Sequence, residues 1–264
     1  MALPRLVLHF DVNETILVGD PAGGDTFEES LHKIVCKSSY VQEDDPTLWY
    51  TGSAVEDGTL PPLHTAWEWP AGSVSAYRHP AYRANKKTWT DTGNPGAGYR
   101  GVYDAMEAAL RLPADAVATT DPRLSHDGLH HFLLPAFFRT ITTLAERKRE
   151  FTVVIRTYGT DVDDVVAALN AYAEGMHATC AAVPSVSTAT TDTWRGSYAS
   201  DGSFQLTRSG ANAAELTDEA DVVRALEARA RGPIAAVACT DDYSWWADHD
   251  CAPSAGVFLF TVTF

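Results

Sequence analysis

The strongest constraint on the fold is a strand, a turn and a helix that follow one another directly in the second half of the chain. Residues 151–156 (F-T-V-V-I-R) form an apolar, β-branched run, and 157–160 (T-Y-G-T) form a turn after it. Apolar residues then recur at helical spacing over 162–172, with Thr160 placed to cap that helix. A second buried-strand pattern occupies 234–239. Strands that alternate with helices in this way favour a three-layer, Rossmann-like α/β core with a mostly parallel sheet.

The opening stretch of the chain predicts another strand of that sheet, and this strand ends at a carboxylate. Residues 6–10 (L-V-L-H-F) are mostly apolar, and Asp11 follows at once, with Asn13 and Thr15 close behind. In an open parallel sheet the carboxyl ends of the strands face the ligand crevice. Asp11 is therefore predicted at the mouth of a site.

Two further predicted strands also end in polar residues. Thr157 follows the strand at 151–156, and Asp241 and Asp242 follow the strand at 234–239. If the three strands lie side by side, their polar ends converge on one crevice. The alternative is that each aspartate only begins a loop, which is a common place for aspartate.

An irregular tract separates the first strand from the rest of the predicted core. It contains four tryptophans among many Pro, Gly and Asp residues, without a sustained period: Trp49, Trp67, Trp69 and Trp89. Such a composition predicts an insertion held by buried aromatic side chains, because a disordered tract would be poor in such residues. The resulting division is a core of 1–19 and 121–264, with an irregular, cap-like insertion over 20–120.

Shorter patterns predict the remaining elements. Thr26 is placed to cap a helix with Leu31, Ile34 and Val35 as its apolar stripe, and 101–112 resembles a second helix. A helical pattern over 125–150 either kinks at Pro135 or begins there. Three further predictions are a β-ribbon through 194–198 and 203–207, a helix capped by Thr217 that carries Val222, Val223 and Leu226, and a final strand at 257–264.

Charge and cysteine content restrict the class of protein. The chain has 264 residues, a formal net charge of −15 and a pI near 4.9. This charge repels nucleic-acid backbones and anionic membrane surfaces, and clustered carboxylates favour a divalent cation instead. Its four cysteines are far apart, so neither a zinc module nor a disulfide framework is indicated. The N-terminal run is too short and too polar for a signal peptide or a membrane span, so the cytoplasm is the default location.

Taken together, the polar strand ends resemble the motifs of the haloacid dehalogenase superfamily. The sequence D-V-N-E-T after the first strand resembles the first motif, usually D-x-D-x-[T/V]. Thr157 at the end of a hydrophobic strand resembles the second motif, and V-A-C-T-D-D resembles the acidic fourth motif. The resemblance covers the predicted core, and the roughly one hundred residues between its two parts lie where that family often inserts a cap domain.

The resemblance implies a hydrolase that acts through a covalent aspartyl intermediate on Asp11, with a small phosphorylated metabolite as substrate. It implies that Thr157 bonds to the transferring phosphoryl group, with Tyr158 and Gly159 beside it. It also implies a Mg²⁺ ion with oxygen ligands. Those ligands would be the Asp11 carboxylate, the Asn13 backbone carbonyl, and Asp241 or Asp242.

The sequence departs from the family pattern at Asn13. In the phosphatases this position is an aspartate that acts as general acid and base, and an amide cannot exchange a proton in that way. General acid–base assistance is typically worth about 10²- to 10⁴-fold in rate. The substitution predicts a slow phosphatase, one limited to good leaving groups, or a protein that binds without turnover.

A second departure concerns the cation of the third motif, because no lysine follows Lys148. The arginines that follow the second motif are Arg195, Arg208, Arg224, Arg229 and Arg231. Of these, Arg195 is slightly favoured, since its region could approach the site. Arg156 is another candidate, although strand alternation directs it to the face opposite Thr157.

Two alternative functions remain open. Metal-independent dehalogenases of the superfamily also lack the second aspartate, which suits Asn13, whereas the acidic pair Asp241 and Asp242 counts against them. A non-catalytic protein with the same fold could instead keep the ion and use its Trp-rich insertion to bind a partner.

Several other side chains have both a functional and a structural interpretation. His130 and His131 could bind a metal, but adjacent helical positions point about 100° apart, which favours a partner-bonded or exposed pair. Trp245 and Trp246 could line a substrate pocket, although packing of their loop is favoured. Cys239 is predicted to be an inert buried thiol.

Overall fold

The computed structural model describes residues 5–19, 24–57, 60–64, 69–188, 193–209, 215–218, 220–221, 224, 228 and 234–249. The chain separates into two compact units. The first consists of Met1–Leu17 with Leu112–Phe264, and the second of Val18–Arg111. The insertion was predicted over 20–120. None of the described helices is both long and apolar enough to cross a membrane.

The helices and strands are numbered in chain order. They are β1 (Leu6–Asp11), α1 (Phe27–Ser38), β2 (Tyr40–Gln42), β3 (Ser73–Ser75), α2 (Arg100–Leu110), α3 (Pro135–Glu146), β4 (Phe151–Thr157), α4 (Val162–Ala173), β5 (Thr193–Tyr198), β6 (Phe204–Arg208), β7 (Glu215–Leu216), β8 (Ala235–Thr240) and α5 (Tyr243–Asp248).

The first unit is built on one sheet with the strand order β1-β4-β8-β5-β6-β7. The pairs β1/β4, β4/β8 and β8/β5 are parallel, and β5/β6 and β6/β7 are antiparallel. Five of the six strands in the described part of this sheet therefore run in the same direction. The predicted α/β class with a mostly parallel sheet is confirmed, and so is the predicted β-ribbon, which is formed by β5 and β6.

Helices α3 and α4 cover one face of this sheet. On β4, Phe151, Val153 and Ile155 alternate toward that face and join a core with the apolar sides of both helices. The strand is paired on both sides, and every one of its residues is buried. Each large apolar side chain buried in this way contributes roughly 1.5–3 kcal/mol. Thr152, Val154 and Arg156 consequently face the opposite side of the sheet.

The starts of α3 and α4 settle two local predictions. Pro135 stands in the first turn of α3, where its missing N–H costs no helical hydrogen bond, so the helix begins there and is not kinked. The prediction that Thr160 caps α4 is wrong. Asp161 is the N-cap residue, and its side chain makes no capping hydrogen bond.

The second unit is held by aromatic burial around α1 and α2. Thr26 caps α1 as predicted, in a reciprocal capping box with Glu29. Trp49 and Trp89 are fully buried, whereas Trp69 is exposed. The Trp89 indole N–H donates to Ser39 Oγ at 3.1 Å. Gly96 fits against the same indole only because it has no Cβ, which would lie 2.3 Å from Trp89 Nε1.

Some predictions fall on parts of the chain outside the described residues. They are the final strand at 257–264, the residues Val222, Val223 and Leu226 of the helix after Thr217, and Trp67. A helical layer on the second face of the sheet therefore stays a prediction.

Candidate functional site

The strands that carry the predicted site residues lie side by side, with β4 between β1 and β8. Asp11 is in register with Arg156, and Thr157 is in register with Thr240. The Asp241 N–H donates to the Thr157 carbonyl at 2.9 Å, so the pairing of β8 with β4 continues as far as Asp241. Their carboxyl ends therefore form one continuous edge, which is where ligands bind in open parallel sheets.

Strand alternation divides this edge into two faces. Asp11 and Arg156 lie on one face, and Arg156 is in register with Cys239 on β8. Asp241, two residues after Cys239, directly follows β8. On the other face Thr157 is in register with Thr240, which is in register with Arg195 on β5. The sequence predicted a single crevice. In the structure the candidate nucleophile Asp11 and the candidate phosphoryl ligand Thr157 point from opposite faces.

Asp11 is the exposed carboxylate of the first face. The Thr15 hydroxyl donates to its Oδ2 at 3.0 Å. A tight turn supports this pair: the Val12 carbonyl accepts N–H groups from Thr15, Ile16 and Leu17, at 3.0 to 3.2 Å. Val12, Ile16 and Leu17 are buried in the core. Asp11 is therefore exposed to solvent on a turn whose apolar side chains are buried in the core.

Arg156 and Asp241 are the buried charged groups of the same face, with exposed fractions of 9% and 4%. Burial lowers the pKa of Arg156, and this is opposed by nearby groups that include Asp241 and Asp11. Burial raises the pKa of Asp241 to about 6, against the lowering effects of the Asp242 N–H and of Arg156. The charge of Arg156 thus interacts with both carboxylates.

The Asp241 carboxylate is only half satisfied by the described part of the chain. Its Oδ1 accepts the Asp242 N–H at 2.8 Å. Its Oδ2 is buried and has no hydrogen-bond partner among the described residues. A buried carboxylate oxygen without a donor is costly in the ionised form, and this agrees with the direction of its pKa shift.

Asp242 has a structural role at the start of α5. Its Oδ1 accepts the Trp245 N–H at 3.0 Å, which caps the helix. Its Oδ2 accepts the Tyr198 N–H at 3.2 Å, which ties the helix start to β5. Both oxygens of the second aspartate in the acidic pair are therefore already engaged.

A magnesium ion in the predicted arrangement would share this face of the sheet with Arg156. Magnesium holds its oxygen ligands at about 2.0–2.1 Å. Asp11 ends β1 and Asp241 directly follows β8, on either side of β4. Two strand spacings put their backbones about 9–10 Å apart, a gap that two carboxylate side chains and one ion can span. Arg156, the residue on the strand between them, already interacts electrostatically with both. The magnesium requirement stays a prediction from the resemblance.

The second face gathers three polar side chains around Gly159. Its N–H donates to Thr157 Oγ1 at 2.8 Å. A Cβ on Gly159 would lie 2.5 Å from Asp161 Oδ2, 3.1 Å from Asn13 Nδ2 and 3.2 Å from Thr157 Oγ1. Asn13 Oδ1 is buried without a hydrogen-bond partner in the described structure. Asn13, Thr157 and Gly159 are thus brought together as predicted, and the sequence did not indicate that Asp161 joins them.

Arg195, the favoured cation, lies in an exposed ion pair. Its Nη2 donates to both carboxylate oxygens of Asp163, in the first turn of α4, at 2.8 Å. Exposed ion pairs of this kind contribute little to stability. Arg195 thus shares the face of Thr157, and Arg156 shares the face of Asp11.

Aromatic side chains pack beside Asp241. Tyr158 stacks on Trp246 with ring centroids 5.1 Å apart, and Tyr198 stacks on Trp245 at 4.9 Å. Burial raises the pKa of both tyrosines, and the charge of Asp241 adds to the effect. The tryptophans pack α5 against the ends of β4 and β5, which is the packing role favoured from the sequence. No pattern in the sequence indicated that Tyr198 lies in this cluster.

The structure places the histidines and the cysteine that the sequence singled out in local packing roles. His130 and His131 precede α3, so their placement on a helix was wrong. His130 Nδ1 bonds to Asp127 Oδ2 at 2.7 Å, and His131 stacks on His177. Cys239 is buried as predicted, and burial raises the pKa of its thiol to about 12, which disfavours the reactive thiolate.

The edge therefore presents an exposed carboxylate beside a buried guanidinium on one face and a polar cluster around Gly159 on the other. No protein-family model matches this chain, and comparisons with curated proteins and with solved structures find no match. The geometry of the edge is thus the basis for a functional proposal.

Proposed function

We propose that this protein is a hydrolase of the haloacid dehalogenase type that acts on small phosphate monoesters through the Asp11 carboxylate. The observation that carries the proposal is the pairing of exposed Asp11 with buried Arg156 at the carboxyl edge of a parallel sheet. A nucleophile must reach the substrate, and a fixed positive charge beside it stabilises the charge of the transition state.

The reaction would proceed in two steps. Asp11 attacks phosphorus, the bond from phosphorus to the leaving oxygen breaks, and the leaving group departs with the bonding electrons. Water then attacks the aspartyl phosphate, which releases inorganic phosphate and restores the carboxylate. Asn13 supplies no proton to the leaving group, so substrates with acidic leaving groups, such as aryl phosphates, should turn over best.

The test is hydrolysis of p-nitrophenyl phosphate and of a panel of phosphorylated metabolites, each with Mg²⁺ and with EDTA. The wild type should release phosphate, and Asp11→Asn should not. Activity that is indifferent to Asp11→Asn would remove this function. Phosphate binding without turnover of p-nitrophenyl phosphate or of any metabolite in the panel would identify a binding protein instead.

A second candidate function is hydrolysis of a carbon–halogen bond, and Arg156 and Asp242 favour it. From the sequence, Asp241 and Asp242 count against this reaction, because both are expected to bind a metal ion that it does not need. Asp242 instead caps α5, and Asp241 neighbours Arg156. In this reaction Asp11 attacks carbon, halide leaves with the bonding electrons, and water hydrolyses the resulting ester. Halide release from short 2-haloacids in EDTA, abolished by Asp11→Asn, would establish it.

A further inference from the structure

We infer that Arg156 is the resident cation of this site, in the position where the resemblance expects a divalent metal ion. The inference rests on the proposed function, since it concerns the charge that assists Asp11. It assigns a direct role in charge stabilisation to a residue that the family motifs do not include.

The strand order places Arg156 between two acidic residues. Arg156 lies on β4, between β1 with Asp11 and the extended end of β8 with Asp241. All three side chains leave the sheet on the same face, because Asp11 and Arg156 are in register and Asp241 is two residues after Cys239, the other partner of Arg156. Arg156 thus stands between two residues with carboxylate side chains.

Arg156 and Asp241 are both buried, whereas Asp11 is not. Only 9% of Arg156 and 4% of Asp241 are exposed, whereas Asp11 is exposed. Burying a charge is expensive unless an opposite charge and hydrogen bonds compensate it. An arginine kept in such a place, with a carboxylate on each side, is a fixed and permanently charged group. Its charge needs no solvent reorganisation when a substrate arrives.

Arg156 also offsets part of the negative charge of this face. Two carboxylates and one guanidinium leave a net charge of about −1 when all are ionised, and a bound phosphate makes the site more negative. Arg156 offsets part of this charge beside Asp11. A divalent ion shared by Asp11 and Asp241 would have to lie near the guanidinium, and like charges repel each other.

Isothermal titration of inorganic phosphate in EDTA tests the inference. The wild type should bind phosphate without a metal, and Arg156→Gln should weaken binding at least tenfold. Arg156→Lys should recover part of the loss, because it keeps the charge but not the planar donor fork. Arg139→Gln removes an exposed arginine of α3 and serves as the matched control. Arg195→Gln tests the competing cation.

Removal of a buried arginine could unfold the protein, so a second variant keeps the test decisive. In Arg156→Gln/Asp241→Asn the buried guanidinium and its buried carboxylate neighbour are both replaced by neutral groups of similar shape. Circular dichroism and thermal melts should show that it is folded. Its phosphate binding should be as weak as that of Arg156→Gln.

Three results would overturn the inference: wild-type phosphate binding that requires Mg²⁺, binding in EDTA that survives loss of Arg156, or no phosphate binding in EDTA. Turnover that needs both Mg²⁺ and Asp11 would overturn the role inferred for Arg156 and would leave the proposed hydrolase function standing. Conversely, Arg156-dependent binding in EDTA with no turnover on either substrate panel would keep the role of Arg156 and remove the hydrolase.

Discussion

Asp11 at the end of β1 is in register with Arg156 on β4, so an exposed carboxylate stands beside a buried guanidinium. Asp11 lies where a substrate can reach it, and Arg156 lies where its charge is screened least by water. Asp241 borders the guanidinium from β8. This row of three charged side chains organises the proposed chemistry.

Asp11→Asn should abolish turnover, by about a thousandfold or more, because the amide cannot form the covalent intermediate. The fold should be unaffected, since Asp11 is exposed and exposed substitutions usually stay within about 0.5 kcal/mol. Steady-state kinetics and a urea titration measure the two effects. Asp115→Asn removes another exposed carboxylate of the same unit and should leave both unchanged.

Asp241→Asn should stabilise the protein at neutral pH. The folded pKa of Asp241 is raised to about 6 from an ordinary value of 3.8, so the folded state holds its proton more tightly than the unfolded state. The free energy of unfolding therefore falls as pH rises from about 4 to 6. Asparagine reproduces the protonated form, and the gain above pH 6 should be roughly 2–3 kcal/mol at most.

Urea denaturation of both proteins between pH 4 and pH 8 checks this prediction. The difference in unfolding free energy should grow up to about pH 6 and then level off. A variant that is less stable than the wild type at pH 8 would show that attraction between Asp241 and Arg156 outweighs the burial of the carboxylate.

His177 should make the protein lose stability in acid. Burial lowers its pKa to about 4 from 6.5, so the folded state keeps the ring neutral while the unfolded state takes up a proton. Stability from this group is complete above pH 6.5 and is lost as pH falls toward 4, by roughly 3 kcal/mol at most. His177 Nδ1 accepts the Thr179 and Cys180 N–H groups, an acceptor role that asparagine can retain.

His177→Asn should therefore show a smaller loss of stability between pH 6.5 and pH 4 than the wild type. At pH 8 it should be the less stable protein, because it loses the ring contacts with His131 and Phe138. Thermal melts across this range measure both effects. His126→Asn, which replaces an exposed histidine of the same unit, is the control. An equal slope in His177→Asn and in the wild type would refute the assignment.

Gly159→Ala should destabilise the protein and disturb the polar cluster around this glycine. The added Cβ would lie 2.5 Å from Asp161 Oδ2, and Asp161 is buried, so its short side chain has little room to move. Overpacking of this kind typically costs about 1–3 kcal/mol. Gly101→Ala is the matched control, because nothing lies within 4 Å of its added Cβ and the site is an exposed position of α2. It should be neutral or stabilising by up to about 1 kcal/mol.

Local patterns in the sequence were sufficient for most elements. The β-branched run of β4, the capping box at Thr26 and the proline at the start of α3 each act through their immediate neighbours. The polar ends of β1, β4 and β8 were also visible as abrupt changes from apolar to polar residues. The cap of α4 was misassigned by one residue, because Thr160 and Asp161 are both good capping types and only the turn geometry separates them.

The sequence by itself determined the α/β class, the strand ends and the candidate nucleophile Asp11, because apolar periodicity and strand-end polarity are local properties of the chain. Only the tertiary structure decided which side chains share a face. Alternation along β4 separates Arg156 from Thr157, but the register that places Arg156 beside Asp11 joins strands far apart in the sequence. The same holds for Asp241, which meets Arg156 only because β8 lies next to β4. Register and burial arise from long-range packing, and for this reason the arginine that borders Asp11 was not distinguished from Arg195 before the fold was known.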